Sequence, residues 1–132
     1  MTRILFVDDE TSILDGLKRM LRPLRQEWGM SFAPGAEAAL ALLDATPFDV
    51  IVTDMRMPGM DGATLLEIVR EKHPSVLRII LSGYTELQAS LRAVPVAHQF
   101  LSPNSSAEMF TAIEPSRRPA SAQAWACLQA SR

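Results

Sequence analysis

With a single cysteine, Cys127, the chain can form neither an internal disulfide nor a thiolate metal cluster, and that residue, in the C-terminal tail, reads as a free thiol. A strong excess of charge of one sign is also missing. The formal net charge is −2 and the arginine pairs are scattered, so no basic face recommends nucleic acid as a partner. No run approaches the ~20 apolar residues of a membrane span. The N-terminus enters a strand-like run at once, without the apolar core of a signal peptide, and the expected location is the cytoplasm. What remains is globular composition, 48% hydrophobic and 21% charged. A chain of 132 residues can bury one core unaided, so one domain and a tail are expected.

Short apolar runs alternate with helical patterns along the chain. Ile4 to Val7 predicts a strand, and Ile13, Leu14, Leu17, Met20 and Leu21 then share one helical face up to Pro23. Trp28 to Ala33 predicts a second strand. Ala36, Ala39, Leu40 and Leu43 follow on a helix that stops before Pro47. Val50, Ile51 and Val52 are uniformly apolar, as in a strand buried on both faces of a parallel sheet. A Pro-Gly loop leads to a helix carrying Leu65, Leu66, Ile68 and Val69, which ends near His73. Val76 to Leu81 and Val96 to Leu101 predict the last strands, with a poorer helix at 87–94 between them and a short one up to Ile113. The alternation predicts an α/β fold, a (βα)5 open parallel sheet with helices on both faces. Residues 1–114 make the domain; 115–132, rich in Pro, Ser, Ala and Arg, are expected to be disordered or weakly helical.

Three acids fall where such a sheet collects ligands, beyond the carboxyl ends of its strands. Asp8 and Asp9 follow the first strand and Asp54 the third, and these strands are neighbours in the common order 2-1-3-4-5. Single acids at strand ends ordinarily cap helices or start turns. Three that converge repel one another unless a cation compensates, and Mg²⁺, with its preference for oxygen ligands, suits the role. An ionised aspartate beside that ion can attack a phosphoryl donor.

The segments F-V-D-D-E, V-T-D-M-R-M-P-G-M-D-G and I-I-L-S-G-Y-T, in this order and spacing, resemble the receiver domain of two-component response regulators over residues 2 to 114. The resemblance implies a flavodoxin-like fold with Asp54 as phosphoacceptor. It implies Mg²⁺ held by Asp8, Asp9, Asp54 and the backbone carbonyl of Arg56, Ser82 as the hydroxyl that moves onto the phosphoryl group, and Phe100 as the switch aromatic. The implied partners are a sensor histidine kinase and an output domain or target protein, met through the fourth helix, fifth strand and fifth helix of a monomer or weak homodimer. Self-phosphorylation and self-dephosphorylation are the most enzymology it implies. The H-Q-F-L-S segment resembles receivers found beside metal-dependent phosphohydrolase output domains. Among neighbouring residues, Pro58 and Gly59 are expected to shape the loop after Asp54, and Gly83 to leave room for the ligand. Met55, Met57 and Met60 read as packing, His73 and His98 as structural, and Tyr84 as packing beside the site or surface.

One feature departs from the family pattern. Receivers carry a lysine and then a proline after the fifth strand, whereas here the text is F-L-S-P-N-S-S, with Pro103 or Ser102 in the lysine position. Neither supplies a cation, so the expected switch is weakened or depends on a partner, with Arg56 or a partner's side chain as the alternative cation. A binding module that works without phosphorylation is the alternative. An aspartate-nucleophile phosphohydrolase is disfavoured, since position 56 is Arg where those enzymes resemble D-x-D. With 18 residues after 114, the chain reads as a single-domain regulator or a receiver cut from a larger protein.

Overall fold

A computed structural model describes residues 2–81 and 113 and the backbone of residues 99–101. The order of elements is β1 (Thr2–Val7), α1 (Thr11–Met20), a 3-10 turn (Arg22–Leu24), β2 (Trp28–Ala33), α2 (Ala36–Ala45), β3 (Val50–Asp54), α3 (Gly62–Lys72), β4 (Leu77–Leu81) and β5 (Gln99–Leu101). The strands form one sheet in the order β2-β1-β3-β4-β5. Every neighbouring pair is parallel, as the alternation predicts.

Successive strand residues face opposite sides, and both sides are covered. Leu5, Val7 and Ile51 join α2 and α3 in one core through Ala39, Leu43, Leu65, Leu66 and Val69. Ile4, Phe6, Val50 and Val52 join α1 in the other, through Leu14, Leu17 and Leu21. This double burial is the reason β3 has no polar face. Ile113, the last described residue, is helical and packs into the α1-side core.

The buried stripe of α1 is narrower than the sequence pattern predicts. Leu14, Leu17 and Leu21 are buried and Met20 is half-buried, but Ile13 is 42% exposed. The stripe is centred on the leucines, and Ile13, about 100° round the helix from Leu14, turns to solvent. At the opposite edge of the sheet from the acids, Asp49 ties three strands. Its carboxylate accepts the Arg3 N–H at 2.8 Å, its own N–H donates to the Arg3 carbonyl at 2.8 Å, and its carbonyl accepts the Leu77 N–H at 2.9 Å.

His73 is structural, as expected. Its N–H closes α3 on the Val69 carbonyl at 2.7 Å, and its imidazole lies 3.3 Å from the Asp44 carboxylate at the end of α2. Met55 and Met57 are buried in the α3-side core and Met60 packs against that core. Among the described residues, no helix is long and apolar enough to cross a membrane. The expectations for Ser82, Gly83, Tyr84, the 87–94 helix, His98, Ser102, Pro103 and the 115–132 tail with Cys127 lie outside the described residues.

Candidate functional site

Strand register brings the acids together. Val7 of β1 pairs with Thr53 of β3, so Asp8 and Asp54, each one residue further on, leave the sheet at the same level. Beyond that level the chain diverges, toward α1 on one face and α3 on the other, and the divergence opens a crevice. One carboxylate oxygen from each of Asp8, Asp9 and Asp54 lies within 4.8 Å of the others. Asp8 is buried, Asp54 half-buried and Asp9 exposed.

Local hydrogen bonds aim these groups. Asp8 Oδ1 accepts the Glu10 N–H at 2.9 Å, and Asp54 Oδ1 accepts the Met55 N–H at 2.9 Å. Neither Asp8 nor Asp9 caps α1, whose N-terminal cap position is Glu10 with no side-chain bond. Helix capping therefore does not account for them, although Asp8 does close the turn at Glu10. Burial pushes the Asp8 carboxyl up from its ordinary value, and the charges of Asp9 and Glu10 add to the rise against the Glu10 N–H bond. Three carboxylates so close, one of them in a site unfavourable to charge, form an oxygen donor set that suits a hard divalent cation.

The loop after Asp54 is held as firmly as the acid. Gly59 has φ +77°, a left-handed conformation that lets the Pro58-Gly59 turn reverse the chain. Asp61 caps α3 by accepting the Thr64 N–H at 2.9 Å. Two residues that sequence reasoning missed act on Asp54 through its backbone. The buried Thr53 hydroxyl donates to the Asp54 carbonyl at 3.0 Å, and Gly62 packs its Cα side directly on that carbonyl while its N–H donates to Met55 O at 2.8 Å. The one sequence signal for Gly62 was the Asp-Gly pair that closes the M-P-G-M-D-G motif.

The remaining site residues are placed less fully. Arg56, two residues after Asp54, is exposed. Phe100 pairs with Ile80 in the register of β4 and β5. Leu81, the last residue of β4, is the register partner of Asp54.

The response regulator receiver domain family matches residues 4–114. The hydrogenase transcriptional regulatory protein HoxA of Cupriavidus necator is 41% identical over 91 residues, which cover 69% of this chain and 18% of that protein. The chain spans about a fifth of the length of such curated regulators. Among solved structures, the signal receiver domain of an HD domain-containing protein from Pseudomonas fluorescens is 31% identical with a TM-score of 0.75, covering 85% of this chain and 90% of that one. The response regulator protein TrrA of Thermotoga maritima, in complex with Mg²⁺ and BeF, is 26% identical with a TM-score of 0.72, covering 85% of this chain and 95% of that one. Family match, sheet order and the placing of the acids agree, and the chain belongs to the response regulator receiver domains of two-component signalling.

Proposed function

We propose that Asp54 accepts a phosphoryl group from a sensor histidine kinase in the cytoplasm, with Mg²⁺ held by Asp8, Asp9, Asp54 and the backbone carbonyl of Arg56. Phosphorylation on aspartate is the general function of this family, and receivers bind Mg²⁺ at an acidic pocket. The observation that carries the assignment to these residues is the convergence of three carboxylates from two neighbouring strand ends. An Asp54 oxygen forms the new O–P bond as the bond from phosphorus to the donor's leaving atom breaks, and the leaving group departs with that electron pair. The Met55 N–H on Oδ1 orients the carboxylate, and burial of Val52 and Thr53 keeps its backbone still. The metal, when bound, neutralises charge on the transferring phosphoryl oxygens.

Incubation with a small phosphodonor and Mg²⁺ is expected to add one phosphoryl group by intact mass. The adduct should be absent in Asp54→Asn and without Mg²⁺. No adduct, with metal binding verified separately, would favour the module that works without phosphorylation. The acid trio speaks against that module, because a pure scaffold gains nothing from mutually repelling carboxylates.

Ser82 and Phe100 are proposed to relay the phosphorylated state to an output domain or target at the fourth helix, fifth strand and fifth helix. Without a lysine at 102 or 103, this relay lacks a charge-assisted contact to the phosphoryl group. Ser102→Lys, with Pro103→Lys beside it, should enlarge the NMR shifts that accompany phosphorylation. Unchanged shifts and an unchanged phosphorylation rate in both variants would sink this account of the switch.

A further inference from the structure

We propose that the groove between α1 and the edge strand β2 docks an acidic, extended segment of a partner protein, which joins the sheet as an added strand. β2 is the terminal strand, and among the described residues none pairs with its outer edge. Its alternate residues Trp28, Met30 and Phe32 face the α1 side and line a groove of about 440 Å³. The lining is firm. The Phe32 ring stacks on Phe6 at 5.2 Å, and Lys18 Nζ sits 5.0 Å from the Phe32 ring centroid.

The other walls are cationic. Lys18, Arg22 and Arg25 are all exposed and all line the groove. Lys18 has a long ion pair with Asp15 at 3.9 Å; among the described residues no carboxylate pairs with Arg22 or Arg25. A strand edge and two arginines unpartnered among the described residues, beside an apolar floor, together suit strand addition by an acidic peptide, with main-chain bonds for affinity and side-chain contacts for choice of partner.

Charge selects among the occupants. A second copy would bring the same three cations against this edge, and like charges there oppose pairing. The chain's own residues 115–132 contain Arg117, Arg118 and Arg132 and no acid, so they carry the wrong sign as well. A partner strand with carboxylates beside apolar side chains on one face complements both the rim and the floor.

The probe is a fluorescein-labelled octapeptide, Glu-Thr-Val-Thr-Glu-Thr-Val-Thr, with the same peptide carrying Lys for Glu as control, both read by anisotropy at low salt. The acidic peptide should bind at least tenfold tighter than the basic one and slow hydrogen exchange at β2 amides. Arg22→Glu with Arg25→Glu should weaken it at least tenfold, and the milder Arg22→Gln with Arg25→Gln at least threefold, while both double variants keep the Asp54 mass adduct that reports a folded site. Equal binding of the two peptides, indifference to both double variants, or unchanged β2 exchange would overturn the proposal. So would a concentration-dependent dimer that occupies the same edge, or binding of anionic vesicles that the acidic peptide does not displace.

Discussion

Alanine at position 62 should lower stability by about 2 kcal/mol, the middle of the range for forcing an atom into a packed site. A Cβ there would collide with the Asp54 carbonyl oxygen and press on the Met55 backbone, neither of which is the end of a flexible side chain. The helix must therefore back away from β3, breaking the Gly62 N–H bond to Met55 O or dragging the Asp54 peptide with it. Alanine's better helix propensity, about 1 kcal/mol in a helix interior, recovers less at this first helical residue. At this chain length the net loss corresponds to a Tm lower by about 6–12 °C.

The larger effect falls on chemistry. Asp54 is displaced through its own main chain, and a shift of about 1 Å in a reacting group can cost on the order of 10²-fold in rate. Gly62→Ala should therefore accept a phosphoryl group from a small donor about a hundredfold more slowly, measured well below its Tm. Gly16→Ala is the control of opposite sign: its Cβ meets nothing within 4 Å, so it should stabilise α1 slightly and leave the rate alone. If Gly62→Ala keeps both Tm and rate, the contact between α3 and β3 yields freely and Gly62 has no positioning role.

Gly62 also marks where the sequence stops being legible. Strand β2 could be read from composition, and its observed bounds, Trp28–Ala33, are the expected ones; β3, expected over Val50 to Val52, runs on through the buried Thr53 to Asp54, because pairing with β4 continues past the apolar run. The acid trio was legible because register in a parallel sheet carries strand ends to a common level, so Asp8 and Asp54 needed only the neighbouring of β1 and β3. What a residue must avoid is not written in its own pattern. The constraint on Gly62 is an approach to the backbone of Asp54, eight positions earlier, and nothing in periodicity encodes it. The turning of Ile13 to solvent has the same origin, since periodicity defines a face only to within a residue and packing partners choose its centre. The contact of His73 with Asp44 and the groove of Lys18, Arg22 and Arg25 against β2 join segments distant or unpatterned in the chain, and only the folded arrangement reveals them.

Asp8→Asn should reverse sign with the metal. Without Mg²⁺ the variant is expected to be more stable than the wild type by about 1 kcal/mol, the order of one relieved like-charge contact. Asparagine keeps an oxygen for the Glu10 N–H, so the turn survives while the charge in the most buried position of the trio is removed. The pH dependence fixes the cause. The Asp8 carboxyl is raised above its ordinary 3.8 first by burial, then by Asp9 and Glu10, so the folded wild type holds this proton more tightly than the unfolded chain does. Its contribution favours folding at low pH and is lost as pH rises from 3.8 through the raised value, and the advantage of Asp8→Asn should grow across that window. With Mg²⁺ at a hundredfold excess over its dissociation constant, the wild type should gain about 2.7 kcal/mol by mass action, and the variant, lacking the charge that draws the ion in, should gain little. Melting curves of both proteins at several pH values, with and without Mg²⁺, give all four quantities. A variant that keeps the full Mg²⁺ gain would remove Asp8 from the metal site and leave Asp9 and Asp54 to hold it, and one less stable than wild type without metal would overturn the repulsion assigned to Asp8.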